Sequence, residues 1–352
     1  MKILQVVTLS QWGGAQRIAL DYSRILRDSG YRVALSSSPG GELEERAGGE
    51  KITFYPLRMK RKISPLSDLK SLLALRELVK KEGFQVLHSH STKAGLLSRN
   101  PAVPGVKIFT AHGWCFTPGA RNRACKFLEK IAARFSWKII CVSLFDLRLA
   151  LDAGIKRSKL AYIPNGIGDV ETISDPALSP VIVSVARFSP QKDHRTLLRA
   201  LAGLPGAEAW LVGEGPLLET VRKMAEEMGV SRRVKFMGFR RNIEEILSRA
   251  GVFVLSSRWE GLPISVIEAM RSALPVVATR VGGLEELVVD GVSGFLVPPQ
   301  NPAVLREKLR VLLENPSLRR DMGMKGREIY LSRYTLEKMK EGLLELYRSL
   351  PL

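Results

Sequence analysis

Ten short apolar runs rich in β-branched residues, separated by longer amphipathic stretches, constrain this chain more than any other feature. Five occupy the first half, at residues 3–9, 32–35, 86–90, 107–111 and 137–142; five occupy the second, at 181–186, 209–212, 234–237, 252–255 and 275–278. Strand and helix in steady alternation imply parallel sheets of the doubly wound α/β type, because a parallel neighbour is reached only through a crossover, usually a helix. The alternation pauses at Ile163-Pro164-Asn165-Gly166-Ile167 and the Pro- and Ser-containing stretch 174–180, then starts again. A chain of 352 residues exceeds what one hydrophobic core usually supports. The expectation is two Rossmann-like domains facing each other across a cleft, 1–170 and 171–335, with a closing helix in 336–352.

Composition narrows the class. With 45% hydrophobic and 25% charged residues the chain reads as an ordinary globular protein, and no stretch approaches 18 consecutive apolar residues. The opening MKILQVVTLS suits a first strand better than a signal peptide, which needs a longer apolar region and a small-residue cleavage site. Cys115, Cys125 and Cys141 are odd in number and lack C-x-x-C spacing, which points to a reduced, cytoplasmic protein. The net charge of +19 is uneven: residues 1–170 hold 28 Lys/Arg against 13 Asp/Glu, and residues 171–352 hold 26 against 22. A basic first half implies either an anionic partner or solubility through charge. Arg58, Lys60, Arg61 and Lys62 precede Pro65, after which Leu66, Leu69, Leu72, Leu73 and Val79 recur near helical spacing. Such a helix either turns its leucines to the core or lies with its basic cluster on an anionic membrane surface.

The chemistry concentrates in residues 256–294, SSRWEGLPISVIEAMRSALPVVATRVGGLEELVVDGVSG. Glu260 and Glu268 form a Glu-x7-Glu pair around Gly261-Leu262-Pro263. Gly261 permits close backbone approach to a ligand, and Pro263 suits the first position of a helix that carries Val266 and Glu268. Both carboxylates then sit at the end of a parallel sheet, where α/β proteins bind ligands, and match the paired hydroxyls of a ribose or a hexose. Arg187 and Lys192 follow the run 181–186 and suit a diphosphate, Arg as a planar fork and Lys as a point charge. Gly213 and the pair Gly238-Phe239 follow the next two strands. Gly282-Gly283 before Glu285 would open another helix whose free N–H groups favour phosphate. Gly13 and Gly14 lie where the first strand turns into a helix beginning near Ala15; without G-x-G-x-x-G spacing they are no nicotinamide fingerprint. His88, His90 and His112 fall at strand ends. A metal site is the rival reading of the three, but no carboxylate or cysteine accompanies them at ligand spacing. Trp259 suits either a sugar pocket or core packing.

The 256–294 segment resembles the donor-site signature of the family 4 glycosyltransferases, retaining enzymes of GT-B fold. V-A-R-F-S-P-Q-K resembles that family's G-R-x4-K diphosphate site, with Ala186 in place of the glycine. Thr110-Ala111-His112-Gly113-Trp114, with His88-Ser89-His90 and Ser91-Thr92-Lys93-Ala94-Gly95, resembles first-domain motifs of family members that build capsular polysaccharides and exopolysaccharides. The resemblance implies that the second domain binds a nucleotide sugar, with a UDP-sugar favoured. Glu268 would hold the ribose, and Arg187 and Lys192 the diphosphate. Glu260 and the backbone at Gly261, Leu262 and Pro263 would hold the sugar, Gly213 would line the pocket, Val266, Gly13 and Gly14 would belong to the donor site, Phe239 would border the base, and His112 would approach the sugar and its diphosphate. It further implies a lipid-linked or glycan acceptor entering from the first domain near Gly13 and Gly14, and a closing helix in 336–352 that packs back on that domain. The acceptor would attack the face the diphosphate leaves, with a phosphate oxygen taking its proton. The expectation is a cytoplasmic enzyme peripheral to the membrane, without cofactor, metal or nucleic acid. No D-x-D occurs, which leaves the metal-dependent GT-A class unsupported. The alternatives are a GT-B nucleotide-sugar 2-epimerase and, from another class, a basic nucleic-acid-binding protein. The latter lacks aromatic interleaving and any recognition module.

Overall fold

The computed structural model of the chain describes residues 1–62, 64–118, 123–171 and 173–351. It divides into two compact units: Met1–Asn165 together with Lys340–Leu352, and Gly166–Met339.

The first unit runs β1 (Lys2–Val6), α1 (Gly14–Asp28), β2 (Arg32–Ser37), α2 (Glu42–Gly49), β3 (Thr53–Pro56), α3 (Pro65–Glu82), β4 (Val86–Ser89), α4 (Thr92–Ser98), β5 (Val106–Ala111), α5 (Arg123–Arg134), β6 (Lys138–Cys141), α6 (Leu144–Asp152) and β7 (Leu160–Tyr162). Its seven strands are parallel, in the order β3-β2-β1-β4-β5-β6-β7. Right-handed crossovers place helices on both faces of such a sheet. Leu20, Leu43 and Ala47 of α1 and α2 pack with Leu35 in one cluster, while Leu75, Val79 and Ala94 of α3 and α4 pack with Leu4, Val6 and Leu87 in another. Covered on both sides, the central strands bury nearly every side chain.

The second unit runs β8 (Ile182–Val185), α7 (His194–Ala202), β9 (Ala209–Val212), α8 (Leu218–Glu227), β10 (Val234–Gly238), α9 (Ile243–Ser248), β11 (Val252–Leu255), α10 (Ile264–Arg271), β12 (Val276–Thr279), α11 (Leu284–Leu287), β13 (Gly294–Val297), α12 (Pro302–Glu314) and α13 (Pro316–Arg333). Its parallel sheet has the order β10-β9-β8-β11-β12-β13, and the two are the doubly wound sheets the alternation predicts. The last helix, α14 (Leu336–Arg348), contributes Tyr347, whose hydroxyl lies 2.9 Å from His88 Nδ1.

Two expectations change. Leu66, Leu69 and Leu73 of α3 point to solvent, 80%, 52% and 54% exposed; the inner face of the helix is instead Ser71, Leu75 and Val79. The cysteines do not all stay reduced: Cys115, after β5, and Cys125, in α5, lie 6.2 Å apart at Cα, within disulfide reach, and are bonded, leaving Cys141 free and buried. No helix among the described residues is long and apolar enough to cross a membrane.

Candidate active site

The strand order of the second unit reverses between β8 and β11, and such a switch point is where open α/β sheets bind ligands. The chain leaving β8 carries Arg187 and Lys192; the chain leaving β11 carries Ser256 to Glu260. Lys192 Nζ donates to Glu260 Oε1 at 2.5 Å, and Ser257 Oγ donates to the same oxygen at 2.5 Å. Gln191 Nε2 reaches Glu260 Oε2 at 3.3 Å and the Trp259 carbonyl at 2.8 Å. Backbone bonds close the junction: Arg258 N donates to the Gln191 carbonyl at 2.8 Å, and Ser256 Oγ lies 3.1 Å from the carbonyls of Lys192 and Asp193. Glu260 is 5% exposed, and a carboxylate so buried persists only when paired and hydrogen-bonded in this way. Arg187 remains exposed.

Gly261 and Leu262 are buried. Pro263 takes the cap position of α10 rather than its first turn, because its ψ of 122° is still extended and the helix opens at Ile264. Glu268 is the fifth residue of α10 and is buried. Val266 is fully buried on the same helix.

The glycine turns serve this loop pair. Gly213, at φ +134°, approaches so closely that a Cβ would stand 2.2 Å from the carbonyl oxygen of Ala186, just before Arg187. Gly282, at φ +57°, would place a Cβ 2.0 Å from the carbonyl oxygen of Glu260. Gly283 N donates to the Gly261 carbonyl at 2.9 Å. The expected phosphate-binding helix start at Gly282-Gly283 is therefore corrected: α11 has four residues, and the diglycine braces the Glu260 loop. Phe239, directly after β10, is 37% exposed.

In the first unit, Gly13 and Gly14 open α1 after β1, beside the switch point between β1 and β4. Gly13 is fully extended (φ 179°), a conformation open to any residue. From β4 and β5 come three neutral histidines. His90 Nε2 donates to Gln5 Oε1 at 2.7 Å, so its Nδ1 accepts the bond from His112 Nε2, 3.2 Å away. His112 Nδ1 is then left as an acceptor. His88 joins Thr110 Oγ1 at 2.7 Å and Tyr347, and stacks on His90 at 4.5 Å. Burial depresses His88 to about 3 and His112 to about 4 and takes His90 well below its ordinary value; the neighbouring imidazoles add to the shift of His88 and His90.

Sequence reasoning missed Gln191, Ser257 and Gln5 as the groups that orient Glu260 and His112, and Asp193. Asp193 holds φ +44° and accepts from Thr196 Oγ1 at 2.9 Å, a strained start for α7 tucked under the Lys192 turn. Cys115, Cys125 and Glu129 gather possible ligand atoms within 4.8 Å of one another, but the sulfurs are bonded together and Glu129 Oε2 is taken by Arg99.

Two doubly wound units, one with a cation–carboxylate junction at its switch point, make up the GT-B architecture. The model of Glycosyl transferases group 1 matches residues 173–329, and that of Glycosyltransferase Family 4 matches residues 12–169. The chain is 32% identical, over 96% of its length and 97% of the relative's, to the lipopolysaccharide core biosynthesis glycosyltransferase LpsE of Rhizobium meliloti. It is 29% identical to the Escherichia coli UDP-Gal:alpha-D-GlcNAc-diphosphoundecaprenol alpha-1,3-galactosyltransferase, covering 84% of each chain. The structure of Anabaena HepE in complex with UDP-glucose superposes with a TM-score of 0.89 at 22% identity, covering 99% of this chain and 100% of that one. This chain belongs to glycosyltransferase family 4.

Proposed function

We propose that the protein transfers a hexose or N-acetylhexosamine from a UDP-sugar, with retention and without a metal ion, to a lipid-linked or growing glycan of the cell envelope. The observation that carries this reading is the Lys192–Glu260 junction at the β8/β11 switch point. The UDP-glucose bound by HepE and the undecaprenol-linked substrate in the Escherichia coli relative's name support the donor and acceptor classes.

Breaking the anomeric C–O bond sends negative charge onto the diphosphate. Arg187, exposed at the end of β8, and Lys192, held by Glu260, stand ready for that charge before it develops, so little reorganisation is needed during the reaction. Glu260 receives three donors. A carboxylate so engaged is a poor nucleophile but keeps one lone pair, on Oε2, for a sugar hydroxyl. It therefore orients rather than attacks, and the acceptor oxygen attacks from the face the diphosphate leaves and gives its proton to a phosphate oxygen. Glu268 binds the ribose, Phe239 borders the base, and neutral His112 presents Nδ1 to a sugar hydroxyl. The first unit receives the acceptor and, being basic, faces an anionic membrane.

The test is thermal stabilisation by UDP, GDP and ADP, followed by transfer from UDP-sugars with and without EDTA. UDP raises the melting temperature by mass action, and EDTA leaves turnover unchanged. Lys192→Ala and Arg187→Ala each lower turnover about a hundredfold or more. Normal turnover in both variants, or no stabilisation by any nucleoside diphosphate, overturns the reading.

A further inference from the structure

Helix α5 is built inside out. The side it turns to the protein carries Cys125, Glu129, Ala132 and Ala133, which are small or polar. The side it turns to solvent carries Phe127, 64% exposed, Leu128, 43%, and Ile131, 37%; Phe135, just past its end, is 43% exposed. A surface helix normally does the reverse, since burying its apolar stripe is what stabilises it. Here other links hold the helix down. Cys125 is bonded to Cys115, and Glu129 Oε2 accepts from Arg99 Nη2 of the α4 C-terminus at 2.6 Å with both side chains fully buried. The apolar face is thus left for something outside the chain.

Charge identifies what covers it. Lys126, Lys130 and Arg134 flank the apolar residues, all exposed, and Glu129, the acidic residue of α5, is buried in its ion pair. Along the same layer, α3 packs on α4 and α4 on α5. In α3, Leu66, Leu69 and Leu73 are exposed beside Lys70. Large apolar side chains ringed by Lys and Arg suit the interface of an anionic bilayer, where rings and aliphatic chains enter the acyl boundary and cations meet headgroup phosphates.

We propose that the outer face of α5 is a lipid-inserting surface that docks the first unit on an anionic membrane, with α3 as its second contact. The inference rests on the proposed lipid-linked acceptor for its choice of occupant and on the helix alone for its site.

The test is cosedimentation of the full chain with vesicles of phosphatidylglycerol and phosphatidylethanolamine, against vesicles of phosphatidylcholine. The wild type binds the anionic vesicles, and added salt weakens binding. Phe127→Ser/Ile131→Ser reduces the bound fraction roughly tenfold or more, and Lys126→Gln/Lys130→Gln reduces it on anionic vesicles only. These side chains are exposed, so the variants keep the wild-type circular dichroism and melting temperature. They also keep the UDP-induced shift, which separates failure here from failure of the donor reading. Failure of the wild type to bind anionic vesicles, or equal binding by Phe127→Ser/Ile131→Ser, overturns the proposal. So does a lipid-free wild type that sediments as a dimer while that variant is a monomer, because the face then meets a second copy.

Discussion

Gly282 is the residue on which the Glu260 loop leans. Its φ of +57° and a Cβ position 2.0 Å from the Glu260 carbonyl oxygen leave no room for a side chain, and the obstacle is backbone, which cannot rotate away. Gly282→Ala therefore adds strain of about 1–3 kcal/mol and moves the loop to relieve it. Because Glu260 sits in that loop and holds Lys192, the expected outcome is a fall in kcat with the UDP affinity of the Arg187 side largely kept. Steady-state kinetics beside UDP titration checks this, and unchanged kcat would separate the diglycine from catalysis. Gln5 makes a parallel case through His90: Gln5→Leu frees the tautomer of His90 and so of His112, and the expected outcome is a kcat lowered about tenfold with KM nearly constant. A Gln5→Leu enzyme at wild-type rate would reduce that bond to packing.

At the scale of elements, α5 depends on a buried ion pair where a helix ordinarily depends on apolar contact. Arg99 also donates through Nε to the Gly95 carbonyl at 2.8 Å and lies over the Phe109 ring, while Arg99 Nη1 and Glu129 Oε1 have no hydrogen-bond partner among the described residues. Burial lowers the arginine's pKa and raises the glutamate's, each against the pull of its partner. Removing one charge strands the other, so Glu129→Gln is expected to cost about 3–5 kcal/mol in chemical unfolding, whereas Arg99→Met/Glu129→Leu recovers most of the loss. A double variant as unstable as Glu129→Gln would show that the pair does more than compensate itself. This arrangement was not legible in the sequence. Periodicity reports which face of a helix is apolar, not which face packs, and for the same reason it left both the inward and the outward turn of Leu66, Leu69 and Leu73 open. Three strands were lost for another reason: β3, β7 and β13 lie at sheet edges, where a strand need not be continuously apolar. Lys192 and Glu260 were legible because the motifs around them are long. Gln191 and Ser257 were not, since only the strand order reveals that the loops after β8 and β11 meet.

Across the whole molecule, all four histidines are held neutral, and they are unevenly shared. His88, His90 and His112 belong to the first unit and His194 to the second, where burial and the Lys192 charge depress His194 to about 4. Below pH 6.5 the unfolded chain takes up protons at these positions while the folded chain does not, so unfolding is favoured as pH falls. The loss continues until the folded pKa is reached, at about 4 for His194 and about 3 for His88. Each fully buried histidine contributes about 1.4 kcal/mol per pH unit within that window. His88 and His90 have no exposed surface and stack on each other, so the first unit bears the larger share. Hydrogen exchange at pH 7 and pH 5, corrected for intrinsic rates, resolves the units separately. Protection in β4 and β5 is expected to fall more than in β8 and β11, and His194→Asn should flatten only the smaller loss. Equal losses in both sheets would mean that acid acts through net charge, already +19 at neutral pH, and not through these buried rings.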